Sequence, residues 1–162
     1  MRPARSLSSI LRTRVTTERS ALRAELNRQL VPRLLGLGFS GPQTISGKSA
    51  LHVYKRSASG GTHCLTVQLD KYGRPRFVLN LSVEPPEGFA HVHNKGGTVV
   101  TGRLQPTAGA TTRHWFRSDV PLLKRMIALR GPTPADIVAQ SVALLPEVET
   151  GGKRVQRPSI FR

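Results

Sequence analysis

The side chains best suited by type and spacing to do chemistry lie on two alternating runs and one aromatic–cationic run. Across 63–83, Leu65, Val67 and Leu69 alternate with Cys64, Thr66, Gln68 and Asp70, and Phe77, Leu79, Leu81 and Val83 alternate with Arg76, Val78, Asn80 and Ser82. Period-two alternation marks strands with one buried face. The other face then carries Thr66, Gln68, Arg76, Asn80 and Ser82, whose amide, hydroxyl and guanidinium groups suit a ligand or a phosphate. In Arg113-His114-Trp115-Phe116-Arg117 a strand puts Arg113, Trp115 and Arg117 on one side, an arrangement that stacks a base and holds phosphates. Plainer alternatives exist for both: a solvated sheet face, and a core aromatic flanked by solvated arginines.

Catalytic constellations are sparse. His91 and His93 offer two imidazoles to a metal, with His63, Cys64 or His114 as further ligands and Glu87 nearby, yet no CxxC or HExxH spacing accompanies them. Cys64 and His63 are neighbours in a strand and point to opposite faces, so they do not form a nucleophile–base pair. Asp70 is explained by a turn, Asp119 and Asp136 by helix starts, and Glu84 and Glu87 flank Pro85-Pro86 in a loop. The glycine pairs match neither the phosphate-loop nor the dinucleotide spacing. The sequence therefore names no catalytic residue, no metal ligand and no cofactor.

The elements that must position these residues follow from periodicity. Leu22, Leu26, Leu30 and Leu34, joined by Val31 and Leu35, make one apolar helical stripe, with Thr17 as N-cap, Pro32 bending the last turn, and Gly36 and Gly38 ending it. Leu51 to Ser57 reads as a strand. The two runs of 63–83 read as a hairpin. Matching apolar to apolar needs a loop of odd length, and a three-residue Lys71-Tyr72-Gly73 loop sets Val67 against Phe77 and Leu65 against Leu79. Gln68 then opposes Arg76, Thr66 opposes Val78, and Cys64 opposes Asn80. Asp70 suits the first position of a type I turn, and Gly73 the left-handed one. Thr98 to Gln105 and Thr111 to Arg117 read as two further strands. Val120 to Arg130 reads as a helix, and a last helix begins at Thr133-Pro134 with Asp136 in the capping-box position and Ile137, Val138, Ser141, Val142 and Leu145 inward. Strands in succession between terminal helices predict an α+β fold. Its antiparallel sheet has about five strands, with one N-terminal and two C-terminal helices on one face.

At 162 residues the chain fits one domain over 17–150, a basic flexible N-terminal extension at 1–16 and a basic C-terminal tail at 151–162. One cysteine excludes an internal disulfide framework and fits the reducing cytoplasm. No apolar run approaches the ~18 residues of a membrane span, and the N-terminus lacks a secretory pattern. The net charge is +16. Residues 1–33 contribute +6, 34–117 contribute +7, 118–150 contribute −1 and 151–162 contribute +4. A field of this sign attracts polyanions. Nineteen Arg against six Lys is what a GC-rich genome encodes, but codon bias does not account for nine acidic residues against twenty-five basic.

Pro32-Arg33-Leu34-Leu35-Gly36-Leu37-Gly38-Phe39, His52-Val53-Tyr54-Lys55-Arg56, Leu65-Thr66-Val67-Gln68, Phe77-Val78-Leu79-Asn80-Leu81, Gly102-Arg103-Leu104 and Arg113-His114-Trp115-Phe116 together resemble the bacterial domain of unknown function 4304 family over roughly 18–150. The resemblance implies a bacterial intracellular α+β domain and assigns no activity, cofactor or site residue.

The expectation is a non-catalytic binding module for nucleic acid or another polyanion, with Gln68, Arg76, Asn80, Arg103, Arg113, Trp115 and Arg117 as its contacts. The alternatives are a protein-interaction domain using the face around Gln68 and Asn80, and a metal-dependent hydrolase using His91, His93 and Glu87.

Overall fold

A computed structural model describes residues 17–47, 49–58, 61–84, 101–106, 115–118, 131–146 and 155–156. The chain opens on a helical run, α1, over residues 17–36, whose middle turn Leu26–Leu30 is π-helical and whose last turn is Val31–Gly36. Pro32 has no N–H, and its ring collides with the carbonyl four residues back, so a regular α-helix cannot cross it. The chain responds by widening the turn ahead of the proline: the Val31 N–H reaches back five residues to the Leu26 carbonyl. The helix closes on a Schellman pair. The Phe39 N–H bonds to the Leu34 carbonyl at 3.1 Å and the Gly38 N–H to the Leu35 carbonyl at 3.0 Å. Gly38 takes the left-handed φ of 81° this ending needs.

Five of the sheet's strands run in the spatial order β1 (Leu51–Ala58), β2 (Gly61–Leu69), β3 (Arg76–Glu84), β4 (Thr101–Leu104) and β6 (Val155–Gln156). β5 (Phe116–Arg117) pairs with the start of β3, beside the stretch that β4 covers. Every pairing is antiparallel. The second helix, α2, is Pro134–Ala143. Its capping box forms as the sequence predicts: the Thr133 hydroxyl accepts from the Asp136 N–H at 3.2 Å, and the Asp136 carboxylate accepts from the Thr133 N–H at 2.8 Å. The fold is thus α+β, an antiparallel sheet with helices. The predicted helix 120–130, the extension 1–16 and the part of the predicted strand before Trp115 lie outside the described residues. The segment 151–162, read as a tail, supplies β6 against β4.

The hairpin keeps its parity and corrects its register. Leu69 opposes Phe77, Val67 opposes Leu79 and Leu65 opposes Leu81, two residues further along than expected. On the other face Gln68 opposes Val78 rather than Arg76, Thr66 opposes Asn80 rather than Val78, and Cys64 opposes Ser82 rather than Asn80. The turn chemistry is as read: the Gly73 N–H bonds to the Asp70 carbonyl, and Gly73 has φ 82°. The connection is longer because the Asp70 carboxylate gathers the Tyr72 N–H at 2.8 Å, the Arg74 N–H at 3.3 Å and the Arg76 guanidinium at 2.6 Å. Arg74 and Pro75 therefore stay in the loop, and pairing starts at Arg76.

Both helices cover the face that carries Leu65, Val67, Leu69, Phe77 and Leu79. The α1 stripe Leu22, Leu26, Leu30 and Leu34 has no solvent exposure, and Ile137, Val138, Leu144 and Leu145 join it in the same core. Phe77 stacks on Phe116 with ring centroids 5.1 Å apart. Burying each such side chain contributes roughly 1.5–3 kcal/mol. Two polar residues of β1, His52 and Tyr54, oppose Val67 and Leu65 and are buried on this side.

Candidate polyanion-binding face

Register determines what shares the second face. Val53, Thr66, Asn80 and Arg103 form one row across the sheet; Leu51, Gln68 and Val78 form the next; Lys55, Cys64 and Ser82 form a third. Three of the residues singled out by the sequence are joined into a chain. Asn80 Nδ2 donates to Gln68 Oε1 at 2.9 Å, and Arg103 Nε donates to Asn80 Oδ1 at 2.8 Å. Gln68 and Asn80 are diagonal neighbours, within reach of long side chains. Asn80 is thereby oriented, and all three remain half-buried and reachable by solvent. Among the described residues no carboxylate pairs with Arg103.

Arg76 is differently placed. Its Nε and Nη2 bond to Asp70 Oδ2 at 2.8 and 2.6 Å, and its guanidinium carbon lies 4.5 Å from the centre of the Trp115 ring. The Arg76 charge is spent inside the protein, and one side of the Trp115 ring is occupied by it, so the expected base-stacking role of Trp115 loses that surface. Burial works to raise the Asp70 pKa, but the Arg76 guanidinium and the Arg74 and Tyr72 amides outweigh it and hold the carboxyl below its ordinary range. Arg117 is exposed on β5 directly opposite Arg76. Like charges so opposed repel, and the Asp70 carboxylate on Arg76 relieves that repulsion. Arg113 lies outside the described residues, as do His91, His93 and Glu87.

Sequence reasoning missed three features of this face. Lys55 on β1 reaches Glu84 on β3 across β2, with Nζ 2.8 Å from Oε2; only the register brings them together. The Cys64 thiol sits 3.9 Å from the same carboxylate oxygen. Burial first, and the Glu84 charge with it, push that thiol's pKa up against the opposing Lys55 charge, so it stays protonated and unreactive at neutral pH. Val78 is buried although it shares the polar side, because β3 is an interior strand. The face thus grades from exposed apolar at Leu51 (54%) and Val53 (42%) on the β1 edge, through a hydrogen-bonded polar centre, to cations on β4 and β5. It offers donors and charge, and among the described residues it holds no nucleophile–base pair and no group of metal ligands.

No protein-family model, curated protein or solved structure matches the chain. Among the described residues no helix is long and apolar enough to cross a membrane.

Proposed function

We propose that this chain is a non-catalytic binding module whose sheet face takes an anionic partner, nucleic acid being the class that fits best. The observation that carries the reading is the Gln68–Asn80–Arg103 chain, which orients amide and guanidinium donors side by side, with no carboxylate among the described residues to neutralise them. The net charge of +16 supports the same reading at long range. Arg103 is the central contact, Gln68 and Asn80 orient it, and Arg117 adds attraction from the flank. The role of Arg76 is to lock the loop through Asp70 rather than to touch a phosphate. The proposal includes a reducing cytoplasmic setting, in which Cys64 remains a thiol, and membership of the bacterial family resembled above, which adds no activity of its own.

The test is binding of a single-stranded oligonucleotide across a salt series. Engagement of four to six phosphates gives a slope of log K against log salt of roughly −3 to −5. Arg103→Gln lowers affinity and reduces that slope by about one. Binding that ignores salt, or a slope unchanged in Arg103→Gln, overturns the reading.

Exposed Leu51 and Val53 on the β1 edge favour a second reading, a protein-interaction surface. Partner capture from nuclease-treated extract that is lost in a Leu51→Lys, Val53→Lys variant would select it over the first.

A further inference from the structure

On the opposite side of the sheet, we propose that Arg19, Arg23 and His52 form a binding site for a phosphate group, independent of the open face. Arg19 and Arg23 are one turn apart on α1 and therefore neighbours on one flank of the helix. His52, on β1, is buried on the same side of the sheet as the α1 stripe. The Arg19 Nε, the Arg23 Nε and Nη2, and the His52 Nε2 are all shut off from solvent without a hydrogen-bond partner. The three side chains sense one another: the Arg19 charge acts on Arg23 and the Arg23 charge on His52. Both arginines are half-buried, so they stay reachable from outside, whereas His52 is 7% exposed.

Left alone this arrangement is unfavourable twice over. Two cations at i and i+4 repel, and buried donors without acceptors forfeit their hydration. Native structures leave few such groups, and a cluster of them points to an ion or ligand that completes the site. A protonated phosphate is the complement: it neutralises the pair, accepts from the guanidinium nitrogens and donates its P–O–H to the imidazole Nε2, which the bond from His52 to Ser49 leaves as an acceptor. Two guanidinium groups and an acceptor imidazole that approach from a helix and a strand match the several oxygens and the hydroxyl of a phosphate better than the two oxygens of a carboxylate. Gly73, at the tip of the β2–β3 connection, borders the site. A Cβ built there would lie 3.6 Å from Arg19 Nη1, in ordinary van der Waals contact, which sets this turn beside the Arg19 guanidinium.

The experiment is calorimetric titration of the full chain with inorganic phosphate, with ionic strength held constant by sodium chloride. One saturable site is expected. Arg19→Gln and Arg23→Gln each weaken it by about tenfold, while Arg33→Gln, which removes an equal charge from an exposed position of the same helix, changes it by less than about twofold. Equal losses in Arg23→Gln and Arg33→Gln mean diffuse attraction and overturn the site, as does the lack of saturable binding to the unaltered chain. Nitrogen NMR of the unaltered chain decides the matter even where a variant fails to fold. The His52 Nε2 resonance must move with phosphate and saturate with the calorimetric curve; a resonance that stays in place sinks the proposal. Oligonucleotide binding by the other face is read in a separate assay, so either idea can fail alone.

Discussion

The two faces of this sheet are built from the same strands and treat charge in opposite ways. On the open face the polar groups bond to one another: Asn80 holds Gln68 and, without neutralising it, Arg103, while Asp70 pairs with Arg76 and Glu84 with Lys55. On the helix-covered face the side chains are almost all apolar, and polar exceptions such as Arg19, Arg23, His52 and Tyr54 have buried nitrogen or hydroxyl atoms with no partner. The count of basic residues therefore says little about where charge is available. Arg76 looks like a contact in the sequence and is consumed by an internal ion pair, whereas Arg23 looks like helix decoration and carries an unmet demand.

The largest effect that would break the contrast is in the covered face. Phe77→Ala removes a ring that packs on Phe116 and should cost about 3–5 kcal/mol in denaturant unfolding. A loss under 1 kcal/mol would mean that this face is not the core. Next comes the loop that sets the register. Asp70→Ala leaves Arg76 unpaired and strips two amides of their acceptor, for an expected loss of roughly 2–4 kcal/mol.

Acid unfolding separates the faces by pH window. The His52 pKa is lowered, by burial first and by the Arg23 charge, against an opposing backbone hydrogen bond at Ser49. The unfolded chain therefore takes up a proton before the folded one does, so His52 begins to cost stability as pH falls below the ordinary 6.5. Asp70, also lowered, contributes in full above its ordinary 3.8 and loses that contribution as pH falls through its folded value. Stability against pH should fall in these two stages. His52→Gln should remove the upper one and Asp70→Asn should shrink the lower, to which Glu25 and Asp136, also lowered, still contribute; stages unchanged in both variants would break the assignment.

Smaller still is the capping box of α2, where Thr133→Ala should cost about 1 kcal/mol. Smallest is the exposed apolar edge of the open face. Val53→Thr should stay within about 0.5 kcal/mol, and a larger loss would show that something covers it.

Much of this was legible in the chain itself. Leucines four apart in α1 and alternating aliphatics in β2 and β3 report burial through geometry that repeats locally, and Thr133 with Asp136 reports a helix start through bonds only three residues apart. The hairpin shows where legibility stops. Odd residues pair with odd residues in either register, so the pattern chose the buried face but left the alignment open by two. The Asp70 carboxylate decided it by drawing Arg76 to the mouth of the loop. The same holds for the candidate sites. Gln68 and Asn80 could be read onto one face from parity, but their union with Arg103 depends on where β4 docks.

From the sequence alone follow the fold class, the face each hairpin residue takes and the excess of positive charge, because those depend on periodicity and composition. The tertiary structure alone decided which cations are neutralised and which are not. Charges act through distance and solvent access, and only the tertiary fold brings the Arg23 charge to bear on His52, just as only the strand register puts Arg76 on Asp70 and Lys55 on Glu84.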